Sequence, residues 1–199
     1  VEDLEHAIEA GLAKHRSDRR RHPGELDVPA GGARATVAGD QRSDPGAAEA
    51  VARWLELIKR FDGRTLDREL RSSLAAFGAL RFLQQRLAPL IEELGERWSL
   101  AQLGVRHEHF ASERLQEFLG RHWQPLSDAA TGPIAVCATP SGERHTLGLH
   151  MAAFTLALNN VRVVFLGADL PAQEIAQAVH QHAARAVVEH CPTGRRGYR

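Results

Sequence analysis

The chain has 199 residues, enough for one domain or two small ones, and Lys+Arg and Asp+Glu each number 25, so the formal net charge is zero. That balance gives no global electrostatic bias towards nucleic acid or a membrane surface. No apolar run reaches the roughly 18 residues needed to span a bilayer, and Val1-Glu-Asp-Leu-Glu-His lacks the basic and apolar regions of an export signal.

Residues 1–21 predict a helix with a weak apolar stripe at Leu4, Ile8, Gly11 and Leu12. A basic cluster of Lys14, Arg16, Arg19, Arg20 and Arg21 follows. The pattern fits a solvated helix end. It also fits the remnant of a DNA-binding module, although a complete helix-turn-helix needs two helices and a turn and does not fit this length. Residues 22–46 hold Pro23, Gly24, Pro29, Gly31, Gly32, Gly39, Pro45 and Gly46 and almost no large apolar side chain. Such a composition buries too little surface to offset ordering entropy, so a flexible linker is expected.

Residues 47–121 carry helical periodicity. Val51, Trp54, Leu55 and Ile58 form one stripe, and Leu66, Leu70, Leu74 and Phe77 a second, with Thr65 as the expected N-cap. Leu80, Leu83, Leu87, Leu90, Leu94 and Trp98 form a third, in which Pro89 predicts a break or kink just before it. Residues 105–121 make a fourth helix. Amphipathic helices with short connections describe a four-helix bundle.

The stretch 122–133, with Pro125, Gly132 and Pro133, reads as a boundary. Beyond it the pattern alternates: strand at 134–138, helix at 146–159, strand at 161–166, helix at 172–184, strand at 186–189. Strands alternating with helices predict a parallel sheet, so the fold class is a helical bundle followed by an α/β domain over 134–199. Such a domain normally has more strands than three, so the ending is expected to be truncated. Cys137 falls in a predicted buried strand, where cysteine acts as a small hydrophobe. With Cys191 it is too little for a disulfide framework, which points to reduced thiols and a cytoplasmic setting.

Two motifs carry chemistry. After the first strand comes Glu143-Arg144-His145-Thr146-Leu147-Gly148, and after the second Gly167-Ala168-Asp169-Leu170-Pro171. In open α/β sheets ligands bind outside the carboxyl ends of the strands, where His145 is expected to face them. Upstream, Trp98 is followed after nine residues by Glu108-His109. From pattern alone, Trp98 reads equally as bundle core and Glu108-His109 as surface.

Together these motifs resemble the cobalamin-binding domain of MerR-type, light-responsive, cobalamin-dependent transcriptional regulators. The first matches that family's Asp-x-His-x-x-Gly fingerprint with Glu for Asp, the second its helical cap. The resemblance implies a Rossmann-like cobalamin-binding domain, truncated here, under the cap. It implies His145 as the lower cobalt ligand, Glu143 as its partner, and Gly148, Gly167 and Asp169 around the nucleotide tail. Trp98 would cover the upper face of the corrin, with Glu108 and His109 towards the upper axial group, adenosylcobalamin being the expected form. DNA would be reached only through a fused or missing helix-turn-helix module, with homo-oligomerisation as the output and no enzymatic activity. Light-responsive members often carry histidine directly after the cap tryptophan, where this chain has Ser99. A corrinoid carrier of a methyltransferase system shares the architecture but predicts Asp at position 143 and no cap motif. A truncated fragment that binds nothing is the third reading, since the family's hydroxyl residue after the third strand and its Gly-Gly loop are absent.

Overall fold

The computed structural model describes residues 46–189, so the expectations for 1–21 and for nearly all of 22–46 lie outside it. Helix α1 (Ala47–Lys59) buries Ala50, Val51, Trp54, Leu55 and Ile58 along one face. Helix α2 (Gly63–Phe77) buries Leu66 and Leu70. Its N-cap is Asp62 rather than Thr65: the Asp62 carboxylate accepts the Thr65 N–H at 3.0 Å. A capping side chain must stand before the first turn to reach the free N–H groups inside it.

The third helical stretch is interrupted as Pro89 predicts. Helix α3 (Ala79–Phe82) passes through a π-turn (Leu83–Leu87) into α4 (Ala88–Ser99). Pro89 has no N–H for an i→i−4 bond, and the wider turn directly before it accommodates the loss. The phase changes with it. Phe82, Leu83, Leu87, Leu90 and Leu94 are buried, whereas Leu80, expected on the stripe, is exposed. Arg86 in the π-turn is itself buried, donates to the Gly46 carbonyl at 2.7 Å and lies over the Phe77 ring at 4.3 Å.

Helix α5 (Val105–Ala129) corrects the expected boundary at 122–133: most of that stretch is helix, with Pro125 inside it. Tertiary contacts override the proline. Trp123 is buried against Phe165 with ring centroids 5.4 Å apart. The Ser127 hydroxyl accepts the Val163 N–H at 2.8 Å.

The rest alternates strictly: β1 (Ile134–Pro140), α6 (Leu147–Leu158), β2 (Arg162–Leu170), α7 (Ala172–Gln181), β3 (Ala186–Glu189). The three strands are parallel in the order β2–β1–β3. Alternate residues of the central strand serve two cores. Cys137 joins Leu149, Ala153 and Phe154 in a cluster continuous with the bundle, while Val136 and Ala138 pack on Ile175 of α7. Helix α6 is apolar nearly all round because it lies between α5 and the sheet. Both β1 and β2 outlast their expected ends. Gly167 to Leu170, expected as loop, is strand: Gly167 pairs with Ala138 and Leu170 with Pro140 across two register shifts. Gly167 (φ 91°) and Asp169 (φ 59°) take up the irregularity, as at a β-bulge.

Candidate functional site

At the carboxyl end of β1 the chain turns sharply. The Glu143 N–H donates to the Pro140 carbonyl at 3.0 Å, and Gly142 sits at φ 90°. A turn with its third residue in the left-handed region needs glycine there. The next residues are the candidate ligands. Glu143 Oε1 accepts the His145 backbone N–H at 2.7 Å and contacts His145 Nδ1 at 2.6 Å. An ionised carboxylate only accepts, so the proton between them sits on Nδ1, and a ring bearing that one proton keeps its lone pair on Nε2. The Glu143 side chain is 17% exposed and that of His145 54%, so the acid is held while the imidazole is open to a ligand. Gly148 follows as the second residue of α6.

β2 braces this turn. Asp169 Oδ1 accepts the Gly142 N–H at 2.7 Å, its other oxygen lies 3.8 Å from Arg144 Nε, and its own N–H donates to the Glu143 carbonyl at 3.1 Å. The Thr139 hydroxyl, fully buried, donates to the same carbonyl at 2.5 Å and accepts the Asp169 N–H at 3.0 Å. Glu143, His145, Asp169 and the neighbourhood of Gly167 therefore share one end of the sheet.

The cap residues stand on the bundle. Trp98 is half-buried near the end of α4. Glu108 and His109 lie in the first turns of α5. Glu108 accepts the Ser112 hydroxyl at 2.8 Å, and its second oxygen is 3.4 Å from His109 Nδ1, with the His109 side chain 74% exposed.

Two residues escaped the sequence reading. Thr139 is an ordinary strand residue by pattern; only its partners reveal its role. His150 on α6 accepts the Trp123 indole N–H at Nδ1 (3.1 Å) and lies tilted against Phe165, and burial pushes its pKa down to about 4. Burial also pushes the Cys137 thiol up to about 11, so it is not a thiolate at neutral pH. Among the described residues no group of three or more His, Cys, Asp or Glu side chains could hold a metal ion, and no helix is long and apolar enough to cross a membrane.

Residues 50–121 match the family described as B12 binding domain. The chain is 31% identical over 140 residues to the HTH-type transcriptional repressor CarA of Myxococcus xanthus, covering 70% of this chain and 47% of the repressor. It is 33% identical over 153 residues to the repressor CarH of the same organism, covering 74% of this chain and 50% of that protein. The chain thus spans about half the length of these relatives. Among solved structures, the monomethylamine corrinoid protein of Methanosarcina barkeri shares the fold, with a TM-score of 0.51 at 17% identity over 71% of this chain and 69% of that one.

Proposed function

From a chain that carries a B12 binding domain at residues 50–121, we propose a cobalamin-binding sensory module in which His145 is the lower axial ligand of cobalt. The observation that carries this reading is the Glu143–His145 contact at 2.6 Å. The ring is partly exposed and uses only Nδ1 for that contact, and a carboxylate on the far nitrogen orients and strengthens an imidazole ligand. The donor set fits this cofactor. A corrin brings its own equatorial nitrogens, so a single protein imidazole suffices and a cluster of protein ligands is not needed.

When bound, the cobalt supplies an axial bond to an upper group that can be broken and remade. This chain's residues do the rest. Trp98, half-buried near the end of α4, roofs the upper face, an indole being suited to stacking on a flat ring. Glu108 and His109 face the upper group, and Gly148 and Gly167 leave room for the nucleotide tail at the sheet end, beside Asp169. We assign adenosylcobalamin as the preferred form. Two relatives described as HTH-type transcriptional repressors support a regulatory role, with DNA read by a helix-turn-helix module outside the described residues. Loss of the upper group would shift the equilibrium between two cap positions and change the oligomeric state, a ligand-biased two-state element. A methyl-carrier role rests on fold likeness alone, and Glu143 and the cap motif speak against it.

A titration of the full chain with adenosylcobalamin in the dark, followed by visible spectra, tests the reading. The wild type is expected to bind with the spectrum of nitrogen-ligated cobalt. His145→Ala is expected to lose that signature and bind about tenfold or more weakly. Identical spectra and affinity in the two proteins would remove His145 from the cobalt, and no binding by either would reject the module altogether.

A further inference from the structure

We propose that Thr139 and Asp169 are positioning residues for His145, locking the turn that sets Glu143 against the imidazole. Four hydrogen bonds converge there. The Glu143 carbonyl accepts from the Thr139 hydroxyl and from the Asp169 N–H, at 2.5 and 3.1 Å. The Asp169 N–H also reaches Thr139 Oγ1 at 3.0 Å, and Asp169 Oδ1 takes the Gly142 N–H at 2.7 Å. The backbone of Glu143 is thereby tied to both β1 and β2. From that fixed backbone its side chain reaches His145, whose own N–H completes the arrangement at 2.7 Å.

Each partner suits the task. Thr139 is fully buried, so its hydroxyl has no competing water, and hydrogen bonds from buried groups are costly to leave unmade. Asp169 is held at φ 59°, a conformation that Asp tolerates better than most residues, and strain of this sort collects at functional sites. Asp169 Oδ1 accepts the Gly142 N–H and Oδ2 lies 3.8 Å from Arg144 Nε, so the carboxylate acts on the turn. Without the lock, Glu143 would lose its fixed bearing on Nδ1, and Nε2 would no longer be the sole ligating nitrogen.

The role assigned to Thr139 rests on reading His145 as the cobalt ligand, so the test has one arm that needs no cobalamin. In the full chain labelled at histidine, the ring-nitrogen shifts of His145 at neutral pH report the tautomer. The wild type is expected to hold the proton on Nδ1, Thr139→Val to show a mixture of tautomers, and Thr139→Ser to restore the wild-type shifts. In the second arm, aquocobalamin titration is expected to show binding weakened about 10-fold or more in Thr139→Val and recovered in Thr139→Ser. A folded Thr139→Val with wild-type ring shifts would overturn the proposal, whatever its stability. Should wild type bind neither aquocobalamin nor adenosylcobalamin, the function proposed above falls while the tautomer arm still decides the lock. If Thr139→Val does not fold, Asp169→Gly decides: it keeps the backbone donor, permits the left-handed backbone and removes the carboxylate with its side chain. A tautomer mixture there supports the lock, and unchanged shifts overturn it.

Discussion

His150 shows how one side chain can join two layers. It accepts the Trp123 indole N–H, and Phe165 lies against its ring with centroids 4.4 Å apart. Burial disfavours the imidazolium, so the pKa falls from 6.5 to about 4. The sign follows directly. The unfolded chain binds this proton more readily, so the stabilisation is complete above pH 6.5 and is lost as pH drops from 6.5 towards 4. Discounted for the ring's residual exposure, the full effect is on the order of 2 kcal/mol. Urea unfolding of wild type across that window should show stability declining with acid. His150→Leu should flatten the decline while lowering stability at neutral pH, because the Trp123 N–H loses its acceptor. An equal slope in both proteins would exclude His150 as its source.

At the scale of elements, α5 decides how bundle and sheet are joined. Pro125 and the polar residues around it read as a boundary, yet the helix continues to Ala129 because its inner face has partners. Trp123 meets Phe165 and His150, and Ser127 holds the start of β2. Trp123→Ala should therefore cost about 3–5 kcal/mol, as for a buried aromatic, with part of the loss from the emptied space. Chemical denaturation measures it; a cost below about 1 kcal/mol would mean that the junction relaxes freely. The π-turn before Pro89 makes the complementary point. There the proline does perturb the helix, and the buried Arg86 is anchored where the path changes.

For the whole molecule, one apolar cluster runs from α1 through the bundle to α6 and Cys137 on β1. A shared core predicts one cooperative transition for the region. Far-ultraviolet dichroism and tryptophan fluorescence, reporting from Trp54, Trp98 and Trp123, should give coincident unfolding curves; separate midpoints would mean that bundle and sheet unfold independently. The proposed light response belongs to this scale too. Illumination of the adenosylcobalamin-loaded chain should shift its elution in sizing chromatography, and unchanged elution would reject the switch, with Ser99 closing any route through a histidine at that position. The order of helices and strands was legible in the sequence, because apolar periodicity is a local property that burial enforces residue by residue. The Glu143–His145 pair was legible too, its members being two positions apart. The reach of α5, the strand character of Gly167 to Leu170 and the brace of Thr139 and Asp169 were not. Gly142 and Asp169 are 27 positions apart, and Ser127 and Val163 36. Such bonds have no spacing to read: they exist only once parallel pairing has brought two strand ends side by side, and only the tertiary structure decides which side chains meet there.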